Sequence, residues 1–138
     1  MQANELLRSL DSLPYGERSR LIAREAQRLR GTQELVTLLE QLSRGTAFER
    51  ILGLQLAQVA GQVDYVAHLL ADPDPTVQGR ALVAVSRGVA VSDETLRTLY
   101  DDAPARLRGN LLRVIRRTGR HQLATQLIDH DIQSGRRP

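Results

Sequence analysis

Apolar residues recur along this chain mostly at three- and four-residue spacing rather than in alternation, the period of a helix that buries one face. An aromatic content of 3% points the same way, because sheets draw heavily on aromatic side chains to fill their pleated surface. The pattern predicts an all-α chain, and its punctuation divides it. A first helix is expected over residues 4–13, with Leu6, Leu7 and Leu10 on one face, ending before Pro14, which holds its predecessor out of the helical region. A second spans Tyr15 to Leu29 and stops before Gly31. Thr32 caps a third running to Ser43, Gly45 ends it, and Thr46 opens a fourth lasting to Ala60.

Beyond Gly61 a short helix covers 63–71 with Val66, Leu69 and Leu70, and the turn Asp72-Pro73-Asp74-Pro75 leads into another reaching Val89. Pro75 suits a first helical turn, where its missing N–H would have had no partner, and Asp74 supplies the cap. Ser92 opens a helix to Tyr100, Pro104 one to Thr118 stopped by Gly119, and the last runs from His121 to Ile132. These nine helices form one domain over 1–132, followed by a polar tail, 133–138. They also repeat. Gly79 aligns with Gly109, Val77 with Leu107 and Leu82 with Leu112, thirty residues apart, and Phe48 to Leu52 and Arg20 to Ile22 fall near the same phase. A helix pair per thirty residues indicates stacked repeats, each covering its neighbour. Gly53 and Gly79 are expected to mark close helix crossings.

The residues Asp72, Pro73, Asp74, Pro75, Val77, Ala81 and Leu82 resemble the inter-helix turn and second-helix start of HEAT repeats, particularly the short bacterial type of phycobilin-lyase-like proteins. The resemblance implies a right-handed α-solenoid of about four antiparallel helix pairs plus a terminal helix, and it is strongest over 63–118. That family usually has Arg after the Val. Here Gln78 stands there, while Arg108 follows Leu107 in the later repeat, so the usual Asp-to-Arg ladder between repeats is in question at that joint. The resemblance also suggests an N-terminal portion of a larger actinobacterial HEAT-repeat protein, in which further repeats would cover Leu123, Leu127 and Ile128. The competing expectation is that the last helix is itself a cap. Such folds host unrelated tasks, so the likeness carries no activity.

Charge adds a candidate surface. All nineteen basic residues are Arg, and they are unevenly placed. Residues 1–60 hold eight against seven acids, 61–103 three against seven, and 104–138 eight against two. On the eighth helix a 100° step sets Arg106, Arg113, Arg116, Arg117 and Arg120 opposite Leu107, Leu111, Val114 and Ile115. Second helices line the concave side of HEAT-like stacks, so the resemblance joins this face to Arg80, Arg87, Arg20, Arg24 and Arg28 as a discontinuous arginine track. A solvated, solubilising face is the commoner meaning of such runs. If the track binds, its partner is a protein with an acidic surface or, alternatively, the phosphate backbone of a nucleic acid. The net negative middle repeats argue against nucleic-acid binding, and the absence of Trp and the scattered Phe and Tyr against base stacking and base flipping.

No catalytic chemistry is legible. The absence of Cys removes thiolate nucleophiles and ligands, and His68, His121 and His130 share no metal-binding spacing. Asp72 and Asp74 lack the Gly and the distal Glu of a calcium loop, so capping accounts for them. The glycines form no phosphate loop, and no Ser or Thr sits at a nucleophile elbow. No window approaches a membrane span and no basic, apolar leader opens the chain, so a cytoplasmic protein without cofactor or metal is expected. The leading functional expectation is a non-enzymatic protein-interaction scaffold. An accessory role in chromophore attachment rests on the family likeness alone.

Overall fold

A computed structural model describes residues 1–135, and these are helical, with no strand among them. The helices are α1 (Ala3–Asp11), α2 (Tyr15–Leu29), α3 (Gln33–Ser43), α4 (Ala47–Ala60), α5 (Val63–Leu69), α6 (Pro75–Ser86), α7 (Asp93–Asp102), α8 (Ala105–Arg117) and α9 (His121–Gln133). The expected caps act as predicted. Thr32 accepts from Leu35 N, Thr46 from Glu49 N, Ser92 from Thr95 N, and Asp74 from both Thr76 N and Val77 N. Four ends differ from expectation by two residues or more, among them α5, which stops at Leu69 rather than residue 71, and α7, which runs past Tyr100 to Asp102. α1 stops at Asp11, short of Leu13. α6 stops at Ser86 rather than Val89, because Gly88 turns left-handed at φ 112° and Val89 N bonds back to the Ala84 carbonyl, which closes the last turn early. Of the expected tail, Gln133 completes α9, and Arg136, Arg137 and Pro138 lie outside the described residues.

Two compact units, Met1–Val66 and Ala67–Pro138, divide the chain within α5. In the first, α1 packs beside α3 and α2 beside α4, while α3 also rests on α2 and α4. Leu6, Leu29, Leu35, Leu38, Leu42 and Leu54 are fully buried there. In the second, α6 packs beside α8 and α7 beside α9, with α8 resting on α7 and α9. Its core includes Leu96, Tyr100, Leu111 and Ile115. Leu123 and Leu127 of α9 are buried as well, and Ile128 is half-buried, so the apolar side of this helix packs back onto its own unit.

Four second helices open in the same way. Their fourth residue donates back to a carbonyl of the preceding turn: Arg18 Nε to Leu13 O at 3.4 Å, Arg50 Nη1 to Gly45 O at 2.8 Å, Gln78 Nε2 to Asp72 O at 3.4 Å, and Arg108 Nη1 to Ala103 O at 2.8 Å. These positions recur at a mean spacing of thirty residues. Gln78 thus makes the same kind of turn contact as the arginines, using an amide in place of a guanidinium.

The two glycines expected at helix crossings behave differently. A Cβ on Gly53 would fall 2.7 Å from Tyr65 Cζ, so the Tyr65 ring does lie against this glycine. Gly79 has nothing within 4 Å of where its Cβ would be, and neither has Gly109, so no crossing occurs at Gly79. Open space at a helix-interior glycine leaves only its backbone entropy cost. Gly79→Ala and Gly109→Ala should each raise stability by roughly 0.5–1 kcal/mol in urea unfolding, and a loss at either site would show that the space is filled. Gly53→Ala should instead lower stability by about 1 kcal/mol, because the Tyr65 ring must swing aside.

Candidate functional site

In the second unit the acids are unevenly placed among the helices. Neither α6 nor α8 contains an Asp or Glu, whereas α7 carries Asp93, Glu94, Asp101 and Asp102, and α9 carries Asp129 and Asp131. On α8 the expected apolar side, Leu107, Leu111, Val114 and Ile115, is buried together with Leu112, which leaves Arg106, Arg113, Arg116 and Arg117 exposed. On the adjoining α6, Arg80 and the capping Arg87 are exposed, and Val83 between them is 46% exposed. The thirty-residue repeat puts these residues in register. Thr76, Val83 and Arg87 hold on α6 the places that Arg106, Arg113 and Arg117 hold on α8.

These arginines are arranged at a cost to the helix that bears them. Arg113 has Arg116 and Arg117 three and four residues away, and like-charge pairs at that spacing each destabilise a helix by about 0.2–0.5 kcal/mol. Arg116 and Arg117 recover some of this in the last turn, where the helix dipole favours cations. Arg106 stands in the first turn, where the same dipole opposes it. None of Arg80, Arg87, Arg106, Arg113, Arg116 or Arg117 has an acidic partner among the described residues.

Arg120 differs from its expected companions. It is half-buried at the start of α9, and its Nη1 donates to Asp93 Oδ1 at 2.8 Å, which ties the α8–α9 turn to the first turn of α7. In the first unit, Arg20, Arg24 and Arg28 form an exposed row on α2 whose charges are interleaved with acids. Arg28 pairs with Glu25 at 2.8 Å and stands 3.8 Å from Glu34, and Glu17 shares a shallow recess with Arg20 and Arg24. The Glu34 carboxyl is held below its ordinary range, chiefly by a hydrogen bond from the Met1 ammonium at 2.9 Å, with Arg28 adding a smaller attraction. Three of the expected arginines therefore lie in one unit and seven in the other.

Sequence reasoning did not foresee a cleft of about 460 Å³ at the N-terminal ends of α6 and α8. Pro73, Pro75, Leu99, Pro104 and Leu107 form its apolar walls, and Arg106 stands among its lining residues. Asp72, Gln78, Thr98 and Asp102 give it polar edges. Asp72 is itself buried, and its Oδ1 accepts the Asp74 N–H at 2.9 Å, so that carboxylate braces the turn. Among the described residues no group of three or more His, Asp or Glu is placed to hold a metal, and no helix is long and apolar enough to cross a membrane.

Comparison with protein-family models, with characterised proteins and with solved structures returned no match.

Proposed function

We propose that this chain is a non-enzymatic, HEAT-like interaction module of the cytoplasm that binds an acidic protein partner through the exposed face of α6 and α8. Its alternate-helix packing, α1 beside α3, α2 beside α4, α6 beside α8 and α7 beside α9, and its repeated turn contact support the helical-repeat reading. One observation carries the functional reading. Two packed helices free of acidic residues expose Arg80, Arg87, Arg106, Arg113, Arg116 and Arg117 with no counter-charge among the described residues, at the expense of helix stability. A merely solubilising face would tolerate interspersed acids, as α2 does with Glu17 and Glu25.

Exposed Val83 between Arg80 and Arg87 favours a protein over a phosphate backbone, since apolar contact amid charge suits a protein interface and offers nothing to phosphates. The test is an anisotropy titration of a labelled acidic peptide and of a labelled random-sequence DNA duplex at low and moderate salt. The proposal expects the peptide to bind and the duplex to bind no more tightly. Tight duplex binding that falls steeply with salt would replace this reading with backbone recognition, and no binding of either probe at low salt would remove it.

A further inference from the structure

We infer that the partner is a linear acidic segment carrying one bulky aliphatic residue, which seats in the cleft beside Arg106 while the following carboxylates run along the arginines of α8. The inference rests on the reading just given and names the ligand for that surface. Two observations meet at one residue. Arg106 lines the cleft walled by Pro73, Pro75, Leu99, Pro104 and Leu107, and it also begins the exposed series Arg106, Arg113 and Arg117 on α8. An apolar recess and a charged track are therefore continuous.

The cleft's 460 Å³ lies within the range of small-ligand pockets and leaves ample room for a Leu or Ile side chain. The carboxylates lining it, buried Asp72 and exposed Asp102, disfavour an acidic group in the recess itself, so charge complementarity sets the direction of the segment: the neutral anchor in the cleft, the acids away from it. The spacing sets a register. With a rise of about 1.5 Å per residue, Arg113 and Arg117 lie about 10 and 16 Å along α8 from Arg106. An extended chain advancing about 3.3 Å per residue places matching carboxylates about three and five residues beyond the anchor. No base or ring stacking is needed, in keeping with helices α6 and α8 that contain no aromatic residue.

The experiment compares two synthetic peptides of equal length and equal negative charge, with acids in that register and either Leu or Ser at the anchor. Binding to the whole chain is read by anisotropy at low salt. The Leu peptide should bind about tenfold tighter, the effect of burying most of one aliphatic side chain. Thr98→Trp, which fills the cleft from an exposed position on α7 and leaves every arginine in place, should abolish that preference without weakening the Ser peptide. Replacing Arg113, Arg116 and Arg117 by Gln should weaken both peptides alike. Equal affinity of the two peptides for the unmodified chain would overturn the anchor and leave the basic-face reading standing. A preference that survives in Thr98→Trp, with circular dichroism showing the variant folded, would overturn the cleft as its seat. Failure of both peptides to bind would overturn the basic-face reading together with the inference.

Discussion

Reversing three charges on α8, as Arg113→Glu with Arg116→Glu and Arg117→Glu, is expected to weaken capture of an acidic partner about a hundredfold. Each exposed pair contributes up to about 1 kcal/mol, and reversal adds repulsion to the lost attraction, so three positions sum to about 3 kcal/mol. Glutamate in the last turn of α8 also opposes the helix dipole, which costs stability for a reason unrelated to binding. The neutral set, Arg113→Gln with Arg116→Gln and Arg117→Gln, separates the two effects. It keeps helix propensity, relieves the repulsion between Arg113 and its neighbours, and should lose about tenfold in affinity with no loss in melting temperature. Binding unchanged in both sets would show that the face is only a solvated surface. The same substitutions on α2, at Arg20, Arg24 and Arg28, should change binding far less, because Arg28 is already paired with Glu25 and Glu17 lies beside Arg20 and Arg24.

What could be read from the sequence was mainly what is decided within a few residues. Thr32, Thr46, Asp74 and Ser92 cap their helices because each hydroxyl or carboxylate reaches an N–H two or three positions ahead, a contact that needs no tertiary information. The amphipathic division of α8 was legible for the same reason, since one helix turn decides it. Arg120 was misplaced by that reasoning. The 100° step continued α8 past Thr118, but the chain leaves the helix at Gly119, and Asp93, 27 residues earlier, then claims the guanidinium. Gly79 was read as a crossing from its residue type alone, whereas the neighbour that would crowd a Cβ is present at Gly53 and missing at Gly79. The cleft was illegible because it assembles the turn after α5 with the turn after α7, and no local pattern encodes the space between two turns.

The pairing of Tyr100 with Asp131 was likewise missed, although a signal for it exists. Asp131 follows Leu127 by four residues and Ala124 by seven, on the apolar stripe of α9, and a carboxylate in that position requires a buried partner. That partner is the hydroxyl of Tyr100, which donates to Asp131 Oδ2 from α7.

Tyr100→Phe is therefore expected to lower the stability of the second unit by roughly 1.5–3 kcal/mol, the range for a hydrogen bond to a charged group removed from a buried site. Tyr100 and Asp131 are both 0% exposed, so water cannot replace the lost donor cheaply, and the low local dielectric strengthens the bond that is removed. The ring remains, and no cavity beyond one oxygen is made, so the loss reports the hydroxyl rather than packing. The effect should be localised. This bond joins α9 to α7 beside that of Arg97 to Gln126, and without it the amides of α9 should exchange with solvent faster than those of α8, which also packs against α6 and α7. Asp131→Asn retains an acceptor oxygen for the Tyr100 hydroxyl and should cost less if the contact is chiefly geometric, and as much if the negative charge provides its strength. A change below about 0.5 kcal/mol in Tyr100→Phe, typical of a surface substitution, would mean that the hydroxyl contributes no net stabilisation and that the other contacts of α9, among them buried Leu123, Ala124 and Leu127, hold it in place.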